Sequence, residues 1–186
     1  MDFVVPYSGP EAAGPWALET FEVDERGAKF SALRGEYVPP GKYTRITRGG
    51  QTIMSDTPME KRTHWSILRA AKGRVLINGL GLGMIAQSVA LKPDVERVDV
   101  VEIDPRVIGM IAPHLHEKVR VHHADAFLFQ PERGVRFDAV WHDIWDDICA
   151  DNLDQMATLH RKYARKADWQ GSWAKAECQQ ARRRYR

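Results

Sequence analysis

Residues 74–83 read R-V-L-I-N-G-L-G-L-G, and the rest of the fold is read outward from them. Val75, Leu76 and Ile77 form a short apolar run of the kind that makes a strand buried on both faces. Asn78 ends the run. Gly79, Gly81 and Gly83 then alternate with Leu80 and Leu82, so the backbone can turn sharply and approach a bound molecule with no Cβ in the way. Met84 to Lys92 carries apolar residues at helical spacing and is stopped by Pro93. Strand, glycine turn and helix in that order leave the N–H groups of the first helical turn facing whatever lies on the glycines.

A second buried-type strand, Val98 to Ile103 (V-D-V-V-E-I), ends at Glu102 about 20 residues after the last glycine, just before Asp104 and Pro105. A carboxylate at that point can accept two hydrogen bonds from the vicinal hydroxyls of a ribose. The spacing selects among nucleoside ligands. An NAD-type G-x-G-x-x-G turn needs glycine at 84, where the chain has Met84. G-x-G-x-G suits a nucleoside without a pyrophosphate, and S-adenosylmethionine is the candidate of that kind.

Downstream, Asp104 and Pro105 start a helix with Val107, Ile108 and Ile111 on one face. Lys118 to His122 reads as a third strand and Arg136 to Trp141 as a fourth. Strands alternating with helices at this spacing predict a Rossmann-like, doubly wound, mainly parallel sheet whose ligand sits at the carboxyl ends of the strands. Ala124-Asp125-Ala126 and His142-Asp143-Ile144-Trp145-Asp146-Asp147 fall at those ends.

Upstream, Met1 to Gly14 reads as an irregular arm, and Leu18 to Asp24 alternates as a half-exposed strand. Glu25-Arg26-Gly27 reads as a turn with Ala28 to Leu33 returning as its partner. Tyr43 to Thr47 and Gln51 to Met54 flank Gly49-Gly50 as a second hairpin. Thr57 to Ala71 then reads as one helix, with Thr57 as cap, Pro58 in the first turn and Glu60 three residues after the cap. The expected organisation is a β-rich appendage over 1–55, a nucleoside-binding core over 56–150 and a C-terminal helical segment over 151–186. Asn152 to Ala167 is its amphipathic helix, Trp169 to Trp173 opens a last helix, and the sheet is expected to stop after its fourth strand.

Composition bounds the rest. The 186 residues suffice for one domain with a substantial core, and 44% hydrophobic with 28% charged residues is ordinary for a globular chain. Net charge is only +2, with positive charge concentrated at Arg182 to Arg186, so nucleic acid stays open as a partner. Cys149 and Cys178 form neither a disulfide framework nor a metal-ligand spacing. With no leader-like start or apolar run of spanning length, the expectation is a cytoplasmic protein without a membrane partner. His114, His116, His122 and His123 lack the Cys or carboxylate spacing that would complete a metal site.

Taken together, V-L-I-N-G-L-G-L-G, V-V-E-I-D-P, H-A-D-A and F-D-A-V-W-H-D resemble the class I S-adenosylmethionine-dependent methyltransferase fold, and most closely its spermidine synthase branch, over roughly residues 51 to 147. The resemblance implies that Gly79, Gly81 and Gly83, with Asn78 before them, pass beneath the methionine part of S-adenosylmethionine or its decarboxylated form. It implies that Glu102, beside Ile103, holds the ribose and that Asp125 and the Ala126 amide meet the adenine. Asp143 and Asp146 match the acidic residues with which spermidine synthases bind and deprotonate an amine. The segment ending at His64 matches the one that closes their site. Leu82 stands where those synthases carry an acidic residue, and Thr63 where they carry a tyrosine.

A sulfonium carbon is already activated, so the protein needs to align a nucleophile and remove a proton. Asp143 is the leading catalytic candidate and also faces the cofactor, with His142 and Asp146 behind it. The expected function is a transferase, most simply a methyltransferase acting on nitrogen or oxygen. Aminopropyl transfer and a non-catalytic nucleoside-binding module are the alternatives. The acceptor is a small molecule or amine, and the N-terminal β unit is a possible subunit-pairing surface.

Overall fold

The computed structural model describes residues 2–7, 9–33, 35 and 37–184. Tyr185 and Arg186, the end of the basic run, lie outside them.

The N-terminal part is an antiparallel sheet of β1 (Glu11–Ala13), β2 (Trp16–Val23), β3 (Gly41–Arg48) and β4 (Gln51–Ser55), in that order. The β3–β4 hairpin turns at Gly49-Gly50 as its dipeptide predicts. The first hairpin does not form. Residues 25–33 are instead helix α1 (Glu25–Leu33), because Asp24 Oδ1 accepts the Gly27 N–H at 2.7 Å and starts a helical turn where the glycine had suggested a reversal. Strand β2 pairs with β3 instead.

The expected single helix over 57–71 is two, α2 (Pro58–Thr63) and α3 (Trp65–Ala70), broken at His64 with φ −105° and ψ 0°. Beyond it lie β5 (Gly73–Asn78), α4 (Met84–Ala90), β6 (Val95–Glu102), α5 (Pro105–Ile111), β7 (Val119–His123), β8 (Phe137–His142), α6 (Asn152–Tyr163), β9 (Ala167–Ser172) and α7 (Lys175–Arg184).

The second sheet is parallel throughout, in the order β7-β6-β5-β8-β9. It does not stop at the fourth strand. Residues 167–172, expected to lead into a helix, form a fifth strand at the edge beside β8. Trp169 stacks on Trp141 with ring centroids 6.2 Å apart and planes 7° apart, and Gly171 leaves room for both rings. Glycine and glutamine inside an aromatic strand hide its period, and the neighbouring strand supplies what the local pattern lacks.

Val75 and Ile77 pack into a large cluster with Ile67, Leu82, Met84, Val89 and Ile111 on one face of the sheet. Leu76 faces the other way, onto Val101, Phe137, Val140 and Tyr163. That two-sided burial is why the central strand reads as an unbroken apolar run. The chain runs outward from β5 to β7 and then returns to β8, so the strand order reverses between β5 and β8. Sheets of this type open a crevice at such a point, at the carboxyl ends of the strands.

A carboxylate-rich cavity at the strand ends

The strand ends are tied to one another by backbone hydrogen bonds. Gly79 N–H donates to Val101 O at 2.8 Å, Asp143 N–H to Asn78 O at 2.8 Å, Ala124 N–H to Glu102 O at 3.0 Å and Trp173 N–H to His142 O at 2.9 Å. These links set the loops after β5, β6, β7, β8 and β9 side by side. They surround a cavity of about 360 Å³, within the range of small-molecule sites.

Gly79 has φ +101°, and a Cβ there would collide with the Asp143 carbonyl, so the turn and the loop after β8 touch backbone to backbone. Gly81, at φ +50°, is covered by Met54 of β4, whose Sδ accepts the Leu82 N–H at 3.5 Å. The N-terminal sheet thus supplies the roof: Trp16, Arg48, Ile53 and Met54 all line the cavity. Two contacts fasten it. Trp16 Nε1 donates to Asp104 Oδ2 at 2.8 Å, and Arg48 pairs with Asp146. The Arg106 guanidinium beside Asp104 holds that carboxyl well below the usual carboxylate range.

Of the residues singled out from the sequence, Gly79, Gly81, Glu102, Ile103, Asp125, Ala126, Asp143 and Asp146 line this cavity. Glu102 is held from behind, its Oε2 accepting Leu80 N–H at 3.0 Å and its Oε1 accepting Ile103 and Asp104 N–H at 2.8 and 2.9 Å. Asp125 Oδ1 accepts Phe127 N–H at 2.7 Å, which fixes the loop after β7. Ile103 is 63% exposed at the cavity lip.

Three others lie behind the wall. Gly83 packs against Ile111, Leu115 and Pro6. Asn78 and His142 face each other inside the sheet, with Asn78 Nδ2 2.7 Å from His142 Nδ1. Burial pushes the His142 imidazole down to about 3, so it is neutral and sealed from the cavity. His142 is therefore corrected from catalytic candidate to buried support, because its alternate position on β8 turns its ring onto the face covered by α6, where it meets His160 and Tyr163.

Asp143 behaves otherwise. Its side chain is 7% exposed, and burial first, with the Glu60 charge adding and the His64 ring opposing, pushes its carboxyl up to about 6. Glu60, read from the sequence as part of a cap, has its own N–H accepted by Thr57 Oγ1 at 3.5 Å, while its side chain turns to the cavity. Its Oε1 lies 3.5 Å from His64 Nε2. The Glu60–His64 pair, four residues apart on a helical segment, was the available signal for this side of the site. Met54 and Trp16 carried none, since each enters the cavity only through sheet packing.

Glu60, Glu102, Asp104, Asp125, Asp143 and Asp146 give the described lining six carboxylates against the one guanidinium of Arg48. The four histidines at 114–123 disperse, His122 to Asp99 and His123 to the Ile103 carbonyl, and no group of three metal-ligating side chains converges among the described residues. No described helix is long and apolar enough to cross a membrane.

No family model matches the sequence, and no curated protein matches it either. Solved structures do. The N-methyltransferase NodS from Bradyrhizobium japonicum WM9 is 20% identical, with 66% of this chain and 73% of that one covered at a TM-score of 0.50. The DhpI-SAM-HEP complex is 18% identical over 57% of this chain, with a TM-score of 0.45, and the chain spans about half of DhpI, 48%. An rRNA methylase from Streptococcus thermophilus is 10% identical, covering 58% of this chain and 64% of that one at a TM-score of 0.46. The fold is the Rossmann-like class I methyltransferase fold, with an antiparallel N-terminal sheet laid over the strand ends.

Proposed function

We propose that the chain is an S-adenosylmethionine-dependent methyltransferase acting on an amine nitrogen. The observation that carries this reading is the position of Asp143, a buried carboxyl titrating near 6, backed against Gly79 at the point where the strand order reverses. The residues present suit the nucleoside. Glu102 keeps lone pairs that would take ribose hydroxyls, Asp125 and the Ala126 backbone would hold the adenine, and Gly79 and Gly81 would carry the methionine part. NodS, a structural neighbour, is an N-methyltransferase that has also been crystallised with S-adenosyl-L-homocysteine.

When bound, the cofactor would supply an electrophilic methyl carbon for a new C–N bond, with its sulfur as the leaving group that keeps the C–S electron pair. The protein's own work is alignment and proton removal. Asp143 accepts the proton from the acceptor nitrogen. Asp146, held by Arg48, flanks the approach. The excess of carboxylates attracts a cationic acceptor. Leu82 and Thr63, in place of the acidic and tyrosine side chains of spermidine synthases, favour methyl over aminopropyl transfer.

Titration calorimetry against S-adenosylmethionine, its decarboxylated form and NAD tests this reading. Binding of the first, weakened at least tenfold by Glu102→Ala, is expected; tighter binding of the decarboxylated form returns aminopropyl transfer to first place. Binding without turnover on any amine makes the chain a nucleoside-binding module.

A further inference from the structure

His64 is a fully buried histidine whose ring makes no hydrogen bond among the described residues. It is 0% exposed at the break between α2 and α3, and neither Nδ1 nor Nε2 has a hydrogen-bonding partner. A histidine kept only for packing normally satisfies at least one ring nitrogen, because an unpaired buried polar group costs stability. The nearest polar groups on either side are carboxylates: Glu60 Oε1 lies 3.5 Å from Nε2 and Asp143 Oδ2 lies 3.8 Å from Nδ1.

Both carboxylates line the cavity, and the ring does not. Its other surroundings are apolar, with Phe3 and Trp141 edge-on at centroid distances of 6.4 and 5.9 Å. Of the neighbouring polar groups, Trp141 Nε1 also makes no hydrogen bond among the described residues, while the others are engaged elsewhere. Thr63 Oγ1 donates to Glu60 O and accepts Trp173 Nε1, His142 is bound to Asn78, and Arg48 is committed to Asp146. A movement of less than about 1 Å would bring the ring into hydrogen-bond distance of either carboxylate.

We propose that His64, backed by Glu60, is the positioning residue that takes the proton from Asp143 and holds it while the methyl group is transferred. The inference rests on the reading that Asp143 meets the acceptor nitrogen. The acceptor N–H bond breaks, its electron pair stays on nitrogen as the nucleophile, and an O–H bond forms on Asp143. That O–H then breaks as Nδ1–H forms on His64, giving an imidazolium between two carboxylates. Glu60 faces Nε2–H, fixing the tautomer that leaves Nδ1 free and balancing the charge, as the buried aspartate does in a Ser-His-Asp triad. When product leaves, the proton returns through Asp143 to water in the opened cavity.

Three neighbours act on the proton affinity of Asp143: the charge of a protonated His64 lowers it, that of Glu60 raises it, and the Trp141 side chain lowers it. The test is therefore directional. In the pH profile of kcat, His64→Asn is expected to move the acid limb upward from about 6 and Glu60→Gln to move it downward. Both lower kcat by about tenfold or more and leave cofactor affinity within about threefold. Glu60, whose side chain is 18% exposed, keeps the test alive if the histidine variant does not fold.

A second arm needs no cofactor. In ¹⁵N spectra of the ligand-free protein, Glu60→Gln is expected to move the His64 Nε2 resonance and Asp143→Asn the Nδ1 resonance. Limbs that stay at the wild-type position in both variants, or ring resonances insensitive to both carboxylates, overturn the inference. Failure of the wild type to bind S-adenosylmethionine overturns the proposed function instead, and the spectra then decide the role of His64 alone.

Discussion

Two buried aspartates, one on each side of the sheet's midline, have opposite fates. Asp99 of β6 is 2% exposed and receives Arg74, Arg97 and His122 at 3.0, 2.9 and 2.8 Å. Burial pushes its carboxyl up, but the hydrogen bonds from His122 and Arg97 and the Arg74 charge outweigh it and hold the group below the ordinary range. Asp143 is 7% exposed, has an imidazole at 3.8 Å and a second carboxylate nearby, and titrates near 6. Burial alone is shared; compensation is not. The scaffold neutralises its buried charge, whereas the cavity leaves its own uncompensated, as sites that move protons do.

The largest effect that would test this contrast is on turnover. Asp143→Asn is expected to lower kcat by about 10²- to 10⁴-fold with cofactor affinity kept, while Asp99→Asn leaves kcat per folded molecule within about twofold. Equal losses in the two variants, measured with active-site titration, would end the distinction.

Stability should separate them with opposite sign. Asp99→Asn leaves two guanidinium groups, 28% and 36% exposed, without their carboxylate, and is expected to cost roughly 2–4 kcal/mol by urea unfolding. Asp143→Asn removes an uncompensated buried charge and is expected to add about 1–3 kcal/mol at pH 7.

The pH dependence carries the same signs. Because the folded pKa of Asp143 is raised to about 6, the folded state binds the extra proton, so its contribution falls as pH rises from the ordinary carboxylate range through about 6. The lowered pKa of Asp99 contributes stability above its unfolded value that is lost as pH falls through the folded one. His142, depressed to about 3, costs stability as pH drops below about 6.5. Thermal melts of wild type and Asp143→Asn should therefore diverge as pH rises from about 4 through about 6, whereas those of wild type and Asp99→Asn stay a constant distance apart over that range and converge only below about pH 4.

The smallest expected effect is at the roof. Arg48 and Asp146 are 48% and 35% exposed, so Arg48→Ala should change stability by no more than about 1 kcal/mol and cofactor affinity by a few-fold, with the change reduced at high salt.

Much of this was legible in the chain. The run Val75–Ile77, the alternating glycines, Glu102 and the loop after β8 each announce themselves locally, because backbone turns and two-sided burial demand particular residues at short spacing. Strand β9 and helix α1 were misread for the converse reason: their identity is settled by a pairing partner or a cap rather than by their own period. His142 was misplaced because one step along a strand reverses the face, and sequence alone does not say which face is covered.

By itself the sequence determined the parallel core, the sharp glycine turn and the carboxylates that follow each strand, since these depend on residues near one another in the chain. The tertiary structure alone decided that Met54 lies on Gly81, that Glu60 and Asp143 flank His64, and which aspartate is neutralised. Those outcomes depend on distance and desolvation between segments far apart in sequence, and no local pattern encodes either.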